Sequence, residues 1–165
     1  MMGMADGFLA DDLWNWCAAG RIDPGRVRGA LAGALERPVL DLGPPGPAGA
    51  LLCDVYHVGG DLPTVIDVYL APSDVAEETV ASAVAVRLGV AVLLPDDTLN
   101  PSRYVLAEPD GTLRAVHVDE RETDDGVERR HVRPCTGADP ACVLADGCGR
   151  SRFKPTPTPE RPAAA

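Results

Sequence analysis

Apolar positions recur first with a helical period and then with a period of two. Between Phe8 and Ala19, the side chains of Leu9, Leu13, Trp16 and Cys17 follow spacings of four, three and one, which predicts a helix ended by Gly20. A second helix is expected after Asp23. Pro24 suits its first turn, where a missing N–H is harmless, and Val27, Leu31, Ala34 and Leu35 form one stripe before Pro38. The short link between them makes an N-terminal helical hairpin. In such a helix Trp14 and Trp16 cannot share a face, so one of them belongs at the edge of the core.

Alternation begins at Leu51. The runs Leu51–Val58 and Thr64–Leu70 read as strands, joined into an antiparallel hairpin by Gly59–Pro63. Keeping Leu51, Cys53, Val55, Ile66, Val68 and Leu70 inside puts Asp54, Tyr56, Asp67 and Tyr69 on one outer surface. A helix follows over Ser73–Leu88, with Ser73 or Asp74 as cap, Glu77 and Glu78 in its first turns and Gly89 at its end. Val90–Leu94 is apolar throughout and reads as a central strand. Tyr104–Glu108 and Thr112–Asp119 flank the hairpin signal Pro109-Asp110-Gly111. An acidic turn, Asp119–Asp125, leads to a last strand over Val127–Val132. The expected fold is α+β: the helical hairpin, then a mostly antiparallel sheet of about six strands with one further helix packed on it.

Composition divides the chain further. Gly43–Gly49 is a Pro/Gly loop, and the alternating Pro-Thr run after Lys154 favours extended, solvated backbone. A single folded domain is placed at residues 8–134, a Cys/Gly-rich segment at 135–149, and a disordered Pro/Thr/Ala tail at 150–165. Only 4% of residues are aromatic, so the core is built from Val, Leu and Ala. One lysine stands against fourteen arginines and glutamine is missing, the bias of a high-GC bacterial genome. Acidic residues outnumber basic ones by 25 to 15, a net charge of −10, which opposes nonspecific nucleic-acid binding. No run reaches the ~18 apolar residues of a membrane helix. Met1–Trp16 holds three aspartates and no basic residue, unlike a secretory leader, so the cytoplasm is the expected compartment. The five cysteines are then expected to be mostly thiols.

Three groups of residues carry candidate chemistry. His131, Cys135, Cys142 and Cys148 are one imidazole and three thiols, a donor set suited to tetrahedral zinc. His117 and Asp119, two apart on a strand, with His57 and His131, could bind a divalent ion or exchange protons. Asp54, Asp61, Asp67, Asp96 and Asp97 could hold magnesium, but the only lysine lies in the tail and the acidic domain would repel a polyanion. Neither a G-x-S-x-G nucleophile turn nor a phosphate loop occurs, so no catalytic residue is assigned and a binding role is expected over an enzymatic one.

Surface recognition is the leading expectation. Tyr56 and Tyr69 among Asp54 and Asp67, extended by Asp124 and Asp125, form a patch suited to a basic protein partner. In size, acidity and order of elements the chain resembles small bacterial immunity proteins. That resemblance implies an inhibitor, or an adaptor with the same electrostatics, that covers a basic partner rather than a nucleic acid or a membrane. The competing expectation is a small metal-dependent enzyme or zinc-binding module using His131 and the C-terminal cysteines.

Overall fold

A computed structural model describes residues 13–43, 46–96 and 103–144. Its elements are β1 (Leu13–Ala18), α1 (Pro24–Leu35), β2 (Val39–Leu40), β3 (Leu51–His57), β4 (Thr64–Tyr69), α2 (Glu77–Leu88), β5 (Val92–Pro95), β6 (Arg103–Ala107), β7 (Leu113–Thr123) and β8 (Gly126–Pro134), then a 3-10 turn over Pro140–Leu144. All eight strands belong to one sheet in the order β2-β3-β4-β1-β5-β6-β7-β8. The β2–β3 pair is parallel and the others are antiparallel, so the sheet is mixed. This corrects the expected helical hairpin and six-stranded sheet: there are two helices among the described residues, and the part of the first expected helix that is described, Leu13–Ala18, is a strand. Residues 8–12 lie outside the described residues.

The reason is the Trp-x-Trp spacing. Residues two apart share one face of a strand, and Trp14 and Trp16 stack there with ring centroids 5.4 Å apart and planes 13° from parallel. β1 lies between β4 and β5, and Cys17 on its other face is buried as well. A strand buried on both faces is apolar at consecutive positions, which mimics a helical stripe.

Elsewhere the local chemistry is simple. Asp23 caps α1, accepting from the N–H groups of Gly25 (3.0 Å) and Arg26 (3.3 Å). The second helix starts at Glu77, not Ser73. Its N-cap is Ala76, which makes no side-chain cap bond, so neither Ser73 nor Asp74 serves as cap. Glu77 instead accepts from Trp16 Nε1 at 2.9 Å, tying α2 to the sheet. The Pro109-Asp110-Gly111 turn joins β6 to β7, with Gly111 at a φ of 89°. β7 runs on to Thr123, so only Asp124 and Asp125 form the acidic turn.

The two sheet faces carry separate cores. Trp14, Trp16, Ile66, Val68, Val92 and Val105 pack under both helices with Leu31, Val80 and Val84. On the opposite face Cys17, Val58, Leu62, Val65, Leu93, Leu106, Val116 and Val118 form a second cluster. The β7–β8 hairpin curls over that face. Its edge reaches the β3–β4 turn, where Gly60 bridges Arg129 and the N–H of Asp61 donates to Arg129 O at 2.8 Å. A Cβ on Gly60 would lie 2.7 Å from that same carbonyl, so the approach requires glycine. No helix among the described residues is long and apolar enough to cross a membrane.

Candidate metal centre

The β7–β8 hairpin brings distant residues to one point. Its register sets His117 opposite Arg133, and Val116 opposite Pro134. The chain then leaves β8, and the N–H of Cys135 donates to Ala115 O at 3.0 Å, holding Cys135 beside β7. Five residues later the 3-10 turn folds back and buries Cys142 against His117. His117 Nε2 lies 3.2 Å from Cys142 Sγ. The donor atoms of His117, Cys135 and Cys142 all lie within 4.8 Å of one another. Tetrahedral zinc separates such donors by about 3.5–3.8 Å, so small side-chain adjustments close the set around an ion.

His117 is fully buried on the helix-side face of the sheet, where its cross-strand neighbour is Arg103. Arg103 pairs with Asp96 at 3.3 Å, and both side chains are nearly dry. Cys135 is half-buried. The centre therefore sits at the end of the sheet, walled by β6, β7 and the C-terminal turn.

Surrounding it is a chain of charges. Arg133 Nε donates to Asp139 Oδ2 at 2.7 Å, and its two terminal nitrogens reach Asp139 Oδ1 (3.3 Å) and Asp119 Oδ1 (3.1 Å). His131 Nδ1 meets Asp119 Oδ2 at 2.9 Å. Hydrogen bonding from Arg133 holds the Asp139 carboxyl below its usual range, and that from His131 and then Arg133 does the same for Asp119.

Of the expected zinc ligands, the geometry gathers Cys135 and Cys142 but not His131. From Asp119 to His117 β7 takes two steps while β8 takes three, from Arg130 to Arg133. The extra residue makes a β-bulge, with His131 at a φ of 59° and its ring turned outward, 68% exposed. His117 lies beside the two thiols instead. Cys148 lies outside the described residues. The proposed His117–Asp119 acid–base pair is split: one is dry against Cys142, and the other is exposed and bound to His131 and Arg133. His57 is elsewhere, its Nε2 2.8 Å from Ile22 O.

The expected partner-binding residues lie on the curled face. Register sets Asp54 opposite Asp67, and Asp67 opposite Asn15, which donates to the Asp67 carboxylate. The row on one side is Leu52, Tyr69 and Leu13; on the other it is Tyr56, Val65 and Cys17. Tyr56 and Leu13 are exposed. Burial and then the Asp67 carboxylate raise the hydroxyls of both Tyr56 and Tyr69. The turn with Asp124 and Asp125 ends at Gly126, where a Cβ would contact Val58 and Tyr56.

No family model, no curated protein and no solved structure matches the chain.

Proposed function

We propose that the chain is a zinc-binding module in which His117, Cys135 and Cys142 hold a structural ion that fastens the C-terminal segment to the sheet. The convergence of these three donors, from residues as far apart in sequence as 117 and 142, carries the proposal. Two thiols and an imidazole are borderline-soft donors that zinc takes as thiolates and neutral nitrogen. Burial of His117 and Cys142 leaves little room for a substrate and favours a structural ion over a catalytic one. Three donors fill three of four tetrahedral positions. Metal analysis of protein purified without chelator tests the proposal. One zinc per chain is expected, lost in Cys135→Ser, Cys142→Ser and His117→Asn and kept in His131→Asn. Loss in His131→Asn with retention in His117→Asn would overturn the assignment.

A second role, recognition of a basic protein by the curled face, is favoured by the opposition of Asp54 and Asp67. Like charges directly opposite each other destabilise a sheet. An arginine from a partner, flanked by apolar side chains, would relieve that repulsion and stack on Tyr56 or Tyr69. The chain would then serve as an inhibitor or adaptor. Asp54→Asn should raise stability by about 0.2–1 kcal/mol, less so in high salt. A Tyr56→Ala, Tyr69→Ala double variant should weaken binding of an arginine-rich peptide. Unchanged stability and unchanged peptide binding would remove this second role.

A further inference from the structure

Arg133 makes more connections around the metal centre than any surface ion pair requires. It sits directly across the hairpin from His117 and two residues before Cys135. Its Nε and one terminal nitrogen fork onto the two oxygens of Asp139, at 2.7 and 3.3 Å. Its other terminal nitrogen donates to Asp119 Oδ1 at 3.1 Å and to the backbone oxygen of His131 at 2.9 Å. Every guanidinium nitrogen is thus engaged, and the three partners come from β7, the β8 bulge and the segment after β8.

Asp139 passes this restraint to a ligand. Its Oδ1 accepts from the N–H of Ala141 at 2.9 Å, and its backbone oxygen accepts from the N–H of Cys142 at 2.8 Å. It therefore caps the 3-10 turn that carries Cys142, and its side chain is only 10% exposed. Arg133 fixes Asp139, Asp139 fixes the turn, and the turn sets Cys142 Sγ against His117 Nε2. At its other end Arg133 braces the bulge between His131 and Asp119, which keeps the hairpin register that places Cys135.

We propose that Arg133 is the positioning residue of this centre. Acting through Asp139, it assembles the donor set before an ion arrives. The proposal rests on the zinc-binding role given above and adds what prepares the site. A planar fork is needed, because lysine would offer one point charge where Arg133 spans two carboxylates and a carbonyl. Residues that orient metal ligands typically contribute about 10–100-fold to metal affinity. A plain surface ion pair would leave affinity untouched.

Cobalt(II) titration of the metal-free full chain tests this, with the thiolate-to-cobalt absorption as readout and urea unfolding of the metal-free protein alongside. Wild type should bind one equivalent with that absorption. Arg133→Ala should bind about 10–100-fold more weakly with an altered ligand-field spectrum, while its metal-free unfolding midpoint stays close to wild type. Arg133→Lys should recover less than half of the logarithmic loss. Asp139→Asn keeps the capping oxygen but loses the charge, and should fall between wild type and Arg133→Ala. It decides the matter if Arg133→Ala does not fold. Wild-type cobalt affinity and spectrum in Asp139→Asn and in any folded Arg133→Ala would overturn the positioning role and leave the metal site standing. Absence of thiolate absorption in wild type would overturn the site itself.

Discussion

Replacing Trp16 by Phe is expected to destabilise the protein far more than the same change at Trp14. Both indoles are buried on the helix-side face of β1 and stack on each other, so both lose similar packing. Only Trp16 donates to a carboxylate, with Nε1 2.9 Å from Glu77 Oε1 at the first turn of α2. A hydrogen bond to a charged group contributes about 1.5–3 kcal/mol, and the smaller ring leaves a void costing about 1 kcal/mol. Trp16→Phe should therefore cost about 2.5–4 kcal/mol and Trp14→Phe about 1 kcal/mol, against a domain stability of about 5–15 kcal/mol. Urea unfolding followed by circular dichroism measures both, since fluorescence would change with the substituted ring. A double-mutant cycle of Trp16→Phe with Glu77→Ala should give a coupling above about 1 kcal/mol. Equal costs at the two tryptophans, with no coupling, would refute the docking of α2 on β1.

Three further outcomes follow from individual residues. Val68 is fully buried beneath the helices, so Val68→Asp should leave a charge without a partner, cost several kcal/mol and unfold or aggregate the chain; a normally folded variant would mean the β4 register is wrong. Burial pushes the Cys53 thiol up to about 12 and, against the pull of Arg129, raises that of Cys17. At neutral pH a thiol reagent on the native, metal-free protein should therefore modify the half-buried Cys135 before Cys17 and Cys53, which it should reach only on unfolding, as peptide mapping would show. Asp110 accepts from the N–H and hydroxyl of Thr112, which holds its carboxyl below the ordinary 3.8. Its contribution is complete above that value and is lost as pH falls through the lower folded value, so the stability gap between wild type and Asp110→Ala should narrow on acidification.

Much of this architecture is written locally in the sequence. Pro24 after a capping Asp23, the Asp110-Gly111 turn and the alternation from Leu51 to Tyr69 each specify their own element, and the structure follows them. What misleads is burial on both faces. In Leu13–Ala18 apolar residues at consecutive positions erase the period of two, and only the paired tryptophans retain it. The two-residue β2 pairs through Val39 and Leu40 beside a Pro/Gly loop, too short for any periodic signal. The candidate metal site is half visible in the sequence. Cys135 and Cys142 stand out, but linear proximity points to His131 as their companion. Folding the hairpin about Asp124 and Asp125 would have set His117 opposite residues 132–133, only two or three positions before Cys135. The bulge that turns His131 outward depends on Asp61, which accepts from its N–H at 3.0 Å, and so on a contact remote in sequence.

The zinc-edge X-ray absorption spectrum of the purified full chain tests the central claim most directly, because it reads the donor atoms themselves. A site built on His117, Cys135 and Cys142 requires sulfur scatterers at about 2.3 Å and an imidazole nitrogen at about 2.0 Å. His117→Asn should remove the imidazole signature, and His131→Asn should leave the spectrum unchanged. A shell of oxygen donors alone, or an imidazole signature that disappears only in His131→Asn, would contradict the account.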